Sequence, residues 1–218
     1  PLQHQSDGVY DSVLAVGADP DPERPLRYTE EEALTVASAF PLADVVLEAR
    51  CSEAEIRKLL GQRTYDVVHL STHGSFNAAM PLLSQVQLLP GDGCDGTLYA
   101  GEILGLDLSG SLVVLSACQT ALPPELSEET AELVIGDEIH GMGQALLTAG
   151  AASAVLTLWN VNDRSTPYLM ETMYGSLLSG ASRAVALQQA QLSLLEDESG
   201  IYSHPCYWAP FVLYGDWR

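Results

Sequence analysis

The sequence predicts an α/β fold in which a mostly parallel central sheet is flanked by helices on both faces. Three observations lead to it. Short apolar runs alternate with amphipathic stretches from one end of the chain to the other, the order that βαβ units produce. Apolar residues make up 47% of the 218 positions with no linker-like stretch among them, so one domain spanning 1–218 with one large core is expected. Finally, two apolar runs end directly on chemically capable residues, His73 and Cys118, and parallel sheets collect reactive groups at the C-terminal ends of adjacent strands.

The elements follow in order. Residues 11–17 (DSVLAVG) form a short buried strand, closed by the turn-forming Ala18-Asp19-Pro20-Asp21-Pro22. Thr29 with Glu32 three residues on has the spacing of a capping box, and Ala33, Val36, Ala37 and Phe40 share one helical face behind it. Residues 45–48 read as a second strand. Ser52 with Glu55 caps a helix running to about Gly61, and residues 65–71 (YDVVHLS) make a third strand that runs straight into Thr72-His73-Gly74. Residues 85–89 alternate like a strand, and 99–104 suggest a helical turn or two. Residues 111–117 (SLVVLSA) are the most hydrophobic strand, with Cys118 at their end. An acidic, mobile loop is expected next. A helix over about 138–148, a strand at 152–159, helices at 165–178 and 182–195, and a last strand at 211–214 complete the chain.

Charge narrows the function classes. Nine Lys and Arg stand against 29 Asp and Glu, for a net charge of −20, and Lys58 is the one lysine. Such a field repels nucleic acid and anionic membrane and attracts cationic partners, although it serves solubility equally well. No apolar run reaches membrane-span length. The four cysteines, Cys51, Cys94, Cys118 and Cys206, form no C-x-x-C pair and no zinc spacing. A chain this size does not need disulfide staples, so a reducing, cytoplasmic setting is expected. The sequence begins at Pro1 without a basic segment leading into an apolar one. No signal peptide is therefore expected, and the chain reads as part of a longer protein. No cofactor or metal is expected.

If the strands ending at His73 and Cys118 are neighbours, an imidazole and a thiol meet across the top of the sheet. A cysteine nucleophile needs such a base to become thiolate, and an oxyanion formed on it needs donors. Gly74 after the histidine permits close backbone approach. The roles that follow are His73 as general acid–base, Cys118 as nucleophile, and the Gly74 and Cys118 amides as oxyanion donors. A thiol at a strand end also serves as a small buried hydrophobe and a lone histidine as a satisfied polar residue, and spacing alone leaves these readings open.

Residues 68–74 (VHLSTHG) resemble the histidine motif of the CHAT domain, a caspase-like cysteine peptidase family often joined to tetratricopeptide repeats and related to separase. Residues 112–121 (LVVLSACQTA) resemble its cysteine motif. The stretches 136–141 (GDEIHG), 149–151 (AGA), 158–163 (LWNVND), His204-Pro205 and 207–216 (YWAPFVLYGD) resemble its later blocks, in order over nearly the whole chain. The resemblance implies a caspase-like αβα sandwich with a His–Cys dyad, which maps onto His73 and Cys118. It also implies an N-terminal repeat or sensor region, or a regulatory protein, that gates cleavage of a specific protein substrate.

Separase-like relatives read a basic P1 side chain with an acid after the tryptophan strand, and here Asp163 stands at that position. A carboxylate at a pocket base pairs well with arginine, yet Asp163 would also serve as an N-terminal cap for the following helix. Asp137 and Glu138 are second candidates for the pocket rim, or else compensate a helix dipole. The loop between Glu125 and Glu138 carries no Lys or Arg. An enzyme specific for basic P1 could not process itself there, so activation by a partner is expected.

Other chemistries fit less well. Gly141-Met142-Gly143 begins like a dinucleotide fingerprint, but Leu146 stands where the third glycine belongs. His69, His73 and Cys118 lack a fourth zinc ligand, and no Gly-x-Ser-x-Gly occurs. Two classes remain: a thiol endopeptidase, or a non-catalytic signalling or scaffold module on the same fold.

Overall fold

In the computed structural model, the described residues are 10–77, 80–91, 93–119 and 137–218; the side chains of 118, 119 and 137–140 lie outside the description. The acidic loop expected after Cys118 falls outside it as well, up to residue 136.

The strands are β1 (Ser12–Gly17), β2 (Leu42–Leu47), β3 (Val67–Ser75), β4 (Gln85–Gln87), β5 (Thr97–Tyr99), β6 (Leu112–Gln119), β7 (Ser153–Thr157) and β8 (Phe211–Gly215). The helices are α1 (Thr29–Ser38), α2 (Glu53–Gln62), α3 (Ala100–Ile103), α4 (Asp137–Thr148), α5 (Thr166–Leu178), α6 (Arg183–Leu195) and α7 (Pro205–Trp208). The sheet runs β2-β1-β3-β6-β7-β8. The first five strands of that order are parallel and β8 is antiparallel to β7. At the far end of β3, β4 pairs antiparallel with it, and β5 pairs with β4.

Two apolar layers sandwich this sheet, each drawn from one side of the strands' period of two. One packs Ile56 and Leu60 of α2, Ala100 and Ile103 of α3, and Met142, Ala145 and Leu146 of α4 against Val68, Leu70, Val113 and Leu115. The other packs α1, α5 and α6, through residues such as Val36, Leu169, Met173 and Leu187, against Val13, Val67, Leu112 and Val114. This is the three-layer αβα sandwich expected from the alternation of elements.

Local readings differ at instructive places. The third strand does not stop at Ser71: β3 continues to Ser75, so His73 lies inside a strand and not beyond its end. The continuation is held on both sides, by β6 and by the short β4. The second strand starts earlier than its apolar core, at Leu42. The capping box assigned to Thr29 and Glu32 is overturned. The helix is preceded by Tyr28 with no side-chain cap, Thr29 is buried within the first turn, and the Glu32 carboxylate turns inward to the sheet. At Ser52 the cap holds: its hydroxyl accepts from the Glu55 amide at 3.2 Å.

Candidate active site

The chain crosses from β1 outward to β2, then returns to the other side of β1 for β3, β6 and β7. The strand order therefore reverses between β1 and β3, and such a switch point opens a crevice beyond the strands' C-terminal ends. His73 lies at that end of β3. Across the β3/β6 ladder its register partner is Cys118, following Val67 with Leu112 and Ser71 with Ser116. The two positions expected to carry chemistry are thus side by side on neighbouring strands. The Thr157 hydroxyl at the end of β7 donates to the Ala117 carbonyl, which fixes the peptide just before Cys118. The Cys118 side chain lies outside the described residues.

His73 is 3% exposed, and neither ring nitrogen has a hydrogen-bond partner among the described residues. Among the described residues Asp19 brings a carboxylate to it, with Oδ1 3.8 Å from Nε2. That separation is too long for a hydrogen bond. Asp19 escaped the sequence reading, in which it was only part of a turn. The register makes it visible: Gly17, the last residue of β1, lies opposite Ser71 of β3, and two residues further along the chain on each side come Asp19 and His73.

Beneath His73 on the same strand face lies a closed polar network. His69 is fully buried, with Nε2 3.1 Å from Glu32 Oε1 and Nδ1 3.0 Å from the Tyr174 hydroxyl. The Ser71 hydroxyl donates to Glu32 Oε2 at 2.7 Å. With the ring proton on Nε2, the imidazole donates to Glu32 and the Tyr174 hydroxyl donates to Nδ1. Burial, with the Glu32 charge adding to it, pushes the Tyr174 phenol well above its ordinary range, so it stays protonated. His69 is therefore a structural residue.

Gly74 follows His73 within the sheet, paired in register with Gln119 of β6 and Val86 of β4. On the other strand face the Thr72 hydroxyl donates to the Gln87 carbonyl at 2.6 Å, tying the same stretch to β4.

Asp163 lies on the connection between β7 and α5, half-buried. It does not cap α5, whose N-cap is Ser165; Asn162 supplies Oδ1 to the Arg164 and Ser165 amides instead. The Asp163 carboxylate reaches across to the segment before α1, accepting from the Arg27 amide at 2.6 Å and from the Tyr28 amide at 3.2 Å. Burial raises its pKa above the ordinary aspartate value; the Arg27 and Tyr28 amides oppose that rise, and the charges of Glu32 and Asp19 add to it. Asp137 and Glu138 open α4, with side chains outside the described residues.

The remaining described cysteines are Cys51, Cys94 and Cys206. Cys51 is fully buried with its thiol on the Gly17 and Val46 carbonyls, and burial, followed by the Glu30 charge, pushes it up to about 12. Cys206 is exposed on α7. Among the described residues no cluster of His, Cys, Asp and Glu could hold a metal ion, and no helix is long and apolar enough to cross a membrane.

Comparison with known proteins agrees with this architecture. The fold is similar to that of the Arg-specific cysteine proteinase gingipain R, with a TM-score of 0.57 at 10% identity over 98% of this chain and 48% of that one. A complex of Porphyromonas gingivalis RgpB pro- and mature domains gives 0.56 at 12% identity, again over 98% and 48%. At such identities the likeness is one of fold, and that fold is caspase-like. The chain spans about half the length of these structures. In sequence it is 32% identical over 118 residues to Tetratricopeptide repeat protein 28 of Homo sapiens, covering 54% of this chain and 4% of that protein. The CHAT domain family matches residues 2–216. Running over almost every residue of this three-layer sandwich, that match shows that the chain belongs to the CHAT domain family.

Proposed function

We propose that this domain is a cysteine endopeptidase in which Cys118 is the nucleophile and His73 the general acid–base. The observation that carries the reading is the register of His73 with Cys118 on adjacent parallel strands, together with a buried imidazole facing Asp19. In this reading the Cys118 thiolate attacks the scissile carbonyl carbon. The Gly74 and Cys118 amides receive the oxyanion, and His73 passes its proton to the departing amine. Water, deprotonated by the same imidazole, then releases the acyl group and restores the thiol. Asp19 is the carboxylate that faces the ring, 3.8 Å from Nε2.

The substrate is a specific protein cut after a basic residue. Asp163 is the pocket acid, with Asp137 and Glu138 at the rim, and the net charge of −20 favours the same class. Three contacts from two amides leave acceptor capacity on the Asp163 carboxylate for a guanidinium. Likeness to a tetratricopeptide repeat protein supports gating by a repeat or sensor region, or by a regulatory protein. The setting is cytoplasmic.

A positional-scanning peptide library tests the reading, with Cys118→Ala as control. Cleavage that the control loses, with Arg or Lys at P1, is the expected result. Cleavage that survives in Cys118→Ala would refute the dyad. If neither form cleaves even when the repeat region is supplied, the domain is a non-catalytic signalling or scaffold module.

A further inference from the structure

The connection from β3 to β4 carries a single 3-10 turn, Pro81–Leu83. It holds three large apolar side chains in water: Met80 and Leu82 are each 55% exposed and Leu83 is 46% exposed. The turn is nonetheless tightly built. Pro81 lies against α4 at Gly141, where an added Cβ would collide with the Pro81 ring and backbone. Leu82 lies against α3 at Gly101, where a Cβ would stand 3.5 Å from its carbonyl oxygen and 3.8 Å from its own Cβ. The Met80 amide donates to Asn77 Oδ1 at 2.9 Å and the Asn77 amide to the Ser84 hydroxyl at 3.0 Å. The Ala100 amide donates to the Ser84 carbonyl at 2.7 Å, and Ser84 is fully buried. Leu104, one helical turn beyond Gly101 and 41% exposed, extends the row. Backbone seated on two helices thus presents these side chains as a fixed group. Large apolar side chains gathered in water mark an interaction site.

Charge says what kind of partner fits. No Lys or Arg occurs between Arg63 and Arg164, a stretch that supplies the turn, α3 and α4. Every formally charged residue within it is Asp or Glu, with Glu102 and Asp107 on either side of Leu104. Arg57 of α2 does reach Glu102 at 3.2 Å, but it is shared with Glu53 at 2.6 Å, so the acids remain in excess. A second copy of this chain would bring its own −20 against that surface, and an anionic membrane would be repelled in the same way. The turn also offers no strand edge for an extended peptide to join. What it offers is side-chain contact, which a helix with apolar residues at i, i+3 or i+4 and i+7 can meet.

We propose that Met80, Leu82, Leu83 and Leu104 form a docking surface for a basic amphipathic helix of a partner protein. Its apolar stripe rests on these four side chains, and its Lys and Arg face the surrounding acids. The surface is independent of the peptidase reading and stands whether or not the domain cleaves peptides.

Fluorescence anisotropy tests it with a labelled synthetic helix of Leu and Lys, about 18 residues long so that it can be helical. The Leu residues repeat at i, i+3, i+4 and i+7; a scrambled peptide of the same composition keeps the charge and loses the stripe. The striped peptide should bind the native chain about tenfold more tightly than the scrambled one, and a version with Glu for Lys should not bind. Leu82→Ser with Leu83→Ser should weaken the striped peptide by about tenfold or more, the loss of an interface anchor. Met80→Ser should act in the same direction. Ile201→Ser, a control at another apolar residue that is 63% exposed, should change nothing. Equal binding of striped and scrambled peptides would overturn the proposal without any variant, since the affinity would then belong to net charge alone. Absence of binding, or patch variants that bind as the native chain does, would overturn it too. So would sedimentation showing a native dimer that Leu82→Ser with Leu83→Ser dissociates, because the occupant would then be a second copy.

Discussion

Glu32 is a carboxylate at 2% exposure, where an unpaired charge would be intolerable, and it is tolerated because Ser71 and His69 each give it a partner. Removing one side of such a pair strands the other. Glu32→Ala should therefore cost about 3–5 kcal/mol, and Tyr174→Phe, which leaves only His69 Nδ1 unsatisfied, about 1–3 kcal/mol. Urea denaturation checks both, and equal losses would show that the network is not the unit described. Cys51 makes a second residue-scale prediction. With its thiol pushed up to about 12 by burial, it stays protonated at pH 8 and should resist alkylation until the chain unfolds, while exposed Cys206 reacts at once. Asp163 makes a third. Its carboxyl is raised in the folded state, so the folded chain takes up that proton more readily than the unfolded one. The resulting stability is fully present below the unfolded aspartate value and is lost as pH rises through the raised one. Asp163→Asn cannot lose it. Thermal denaturation should show the variant gaining on the native chain as pH rises from 3 to 7, and a constant difference between them would contradict this.

At the scale of elements, sequence showed what depended on pattern and hid what depended on neighbours. The alternation of apolar runs gave each long strand and helix, because the period of a buried face is a local property. Ser52 was legible as a cap since its partner, the Glu55 amide, is three residues away. Thr29 and Glu32 showed the same spacing and meant something else: β1 and β3 lie close enough to α1 for Glu32 to reach Ser71, and that contact prevailed over the cap. Asp163 likewise was readable as an acid near a helix start, but its partners are 135 and 136 residues away in sequence. Asp19 became visible only once β1 was known to lie beside β3. The approach of β1 to α1 carries its own prediction. A Cβ on Gly17 would meet Thr29 oxygen at 2.5 Å and Thr29 carbonyl carbon at 2.8 Å, both backbone atoms that cannot rotate away. Gly17→Ala should therefore destabilise by about 1–3 kcal/mol or more, as overpacking does. Urea denaturation measures the loss, and an unchanged midpoint would mean that β1 and α1 can move apart at no cost.

Across the whole molecule, the peptidase reading has two kinds of negative charge act on a basic substrate, and salt separates them. The net charge of −20 acts over distance. The range of such a field shrinks from about 30 Å at 0.01 M salt to about 8 Å at 0.15 M. Asp19 is 3.8 Å from His73 and Asp163 is half-buried, so interactions with them fall inside even the shorter range. If the peptidase reading holds, kcat/KM for an Arg peptide should fall by about tenfold as salt rises, since steering is lost. A Leu peptide without charge should change little over the same series. The ratio of the two should then level off above one, because a carboxylate in direct contact with the guanidinium is poorly screened. A ratio that collapses to one at high salt would assign the preference to the surface as a whole and leave Asp163 no part in selecting the substrate.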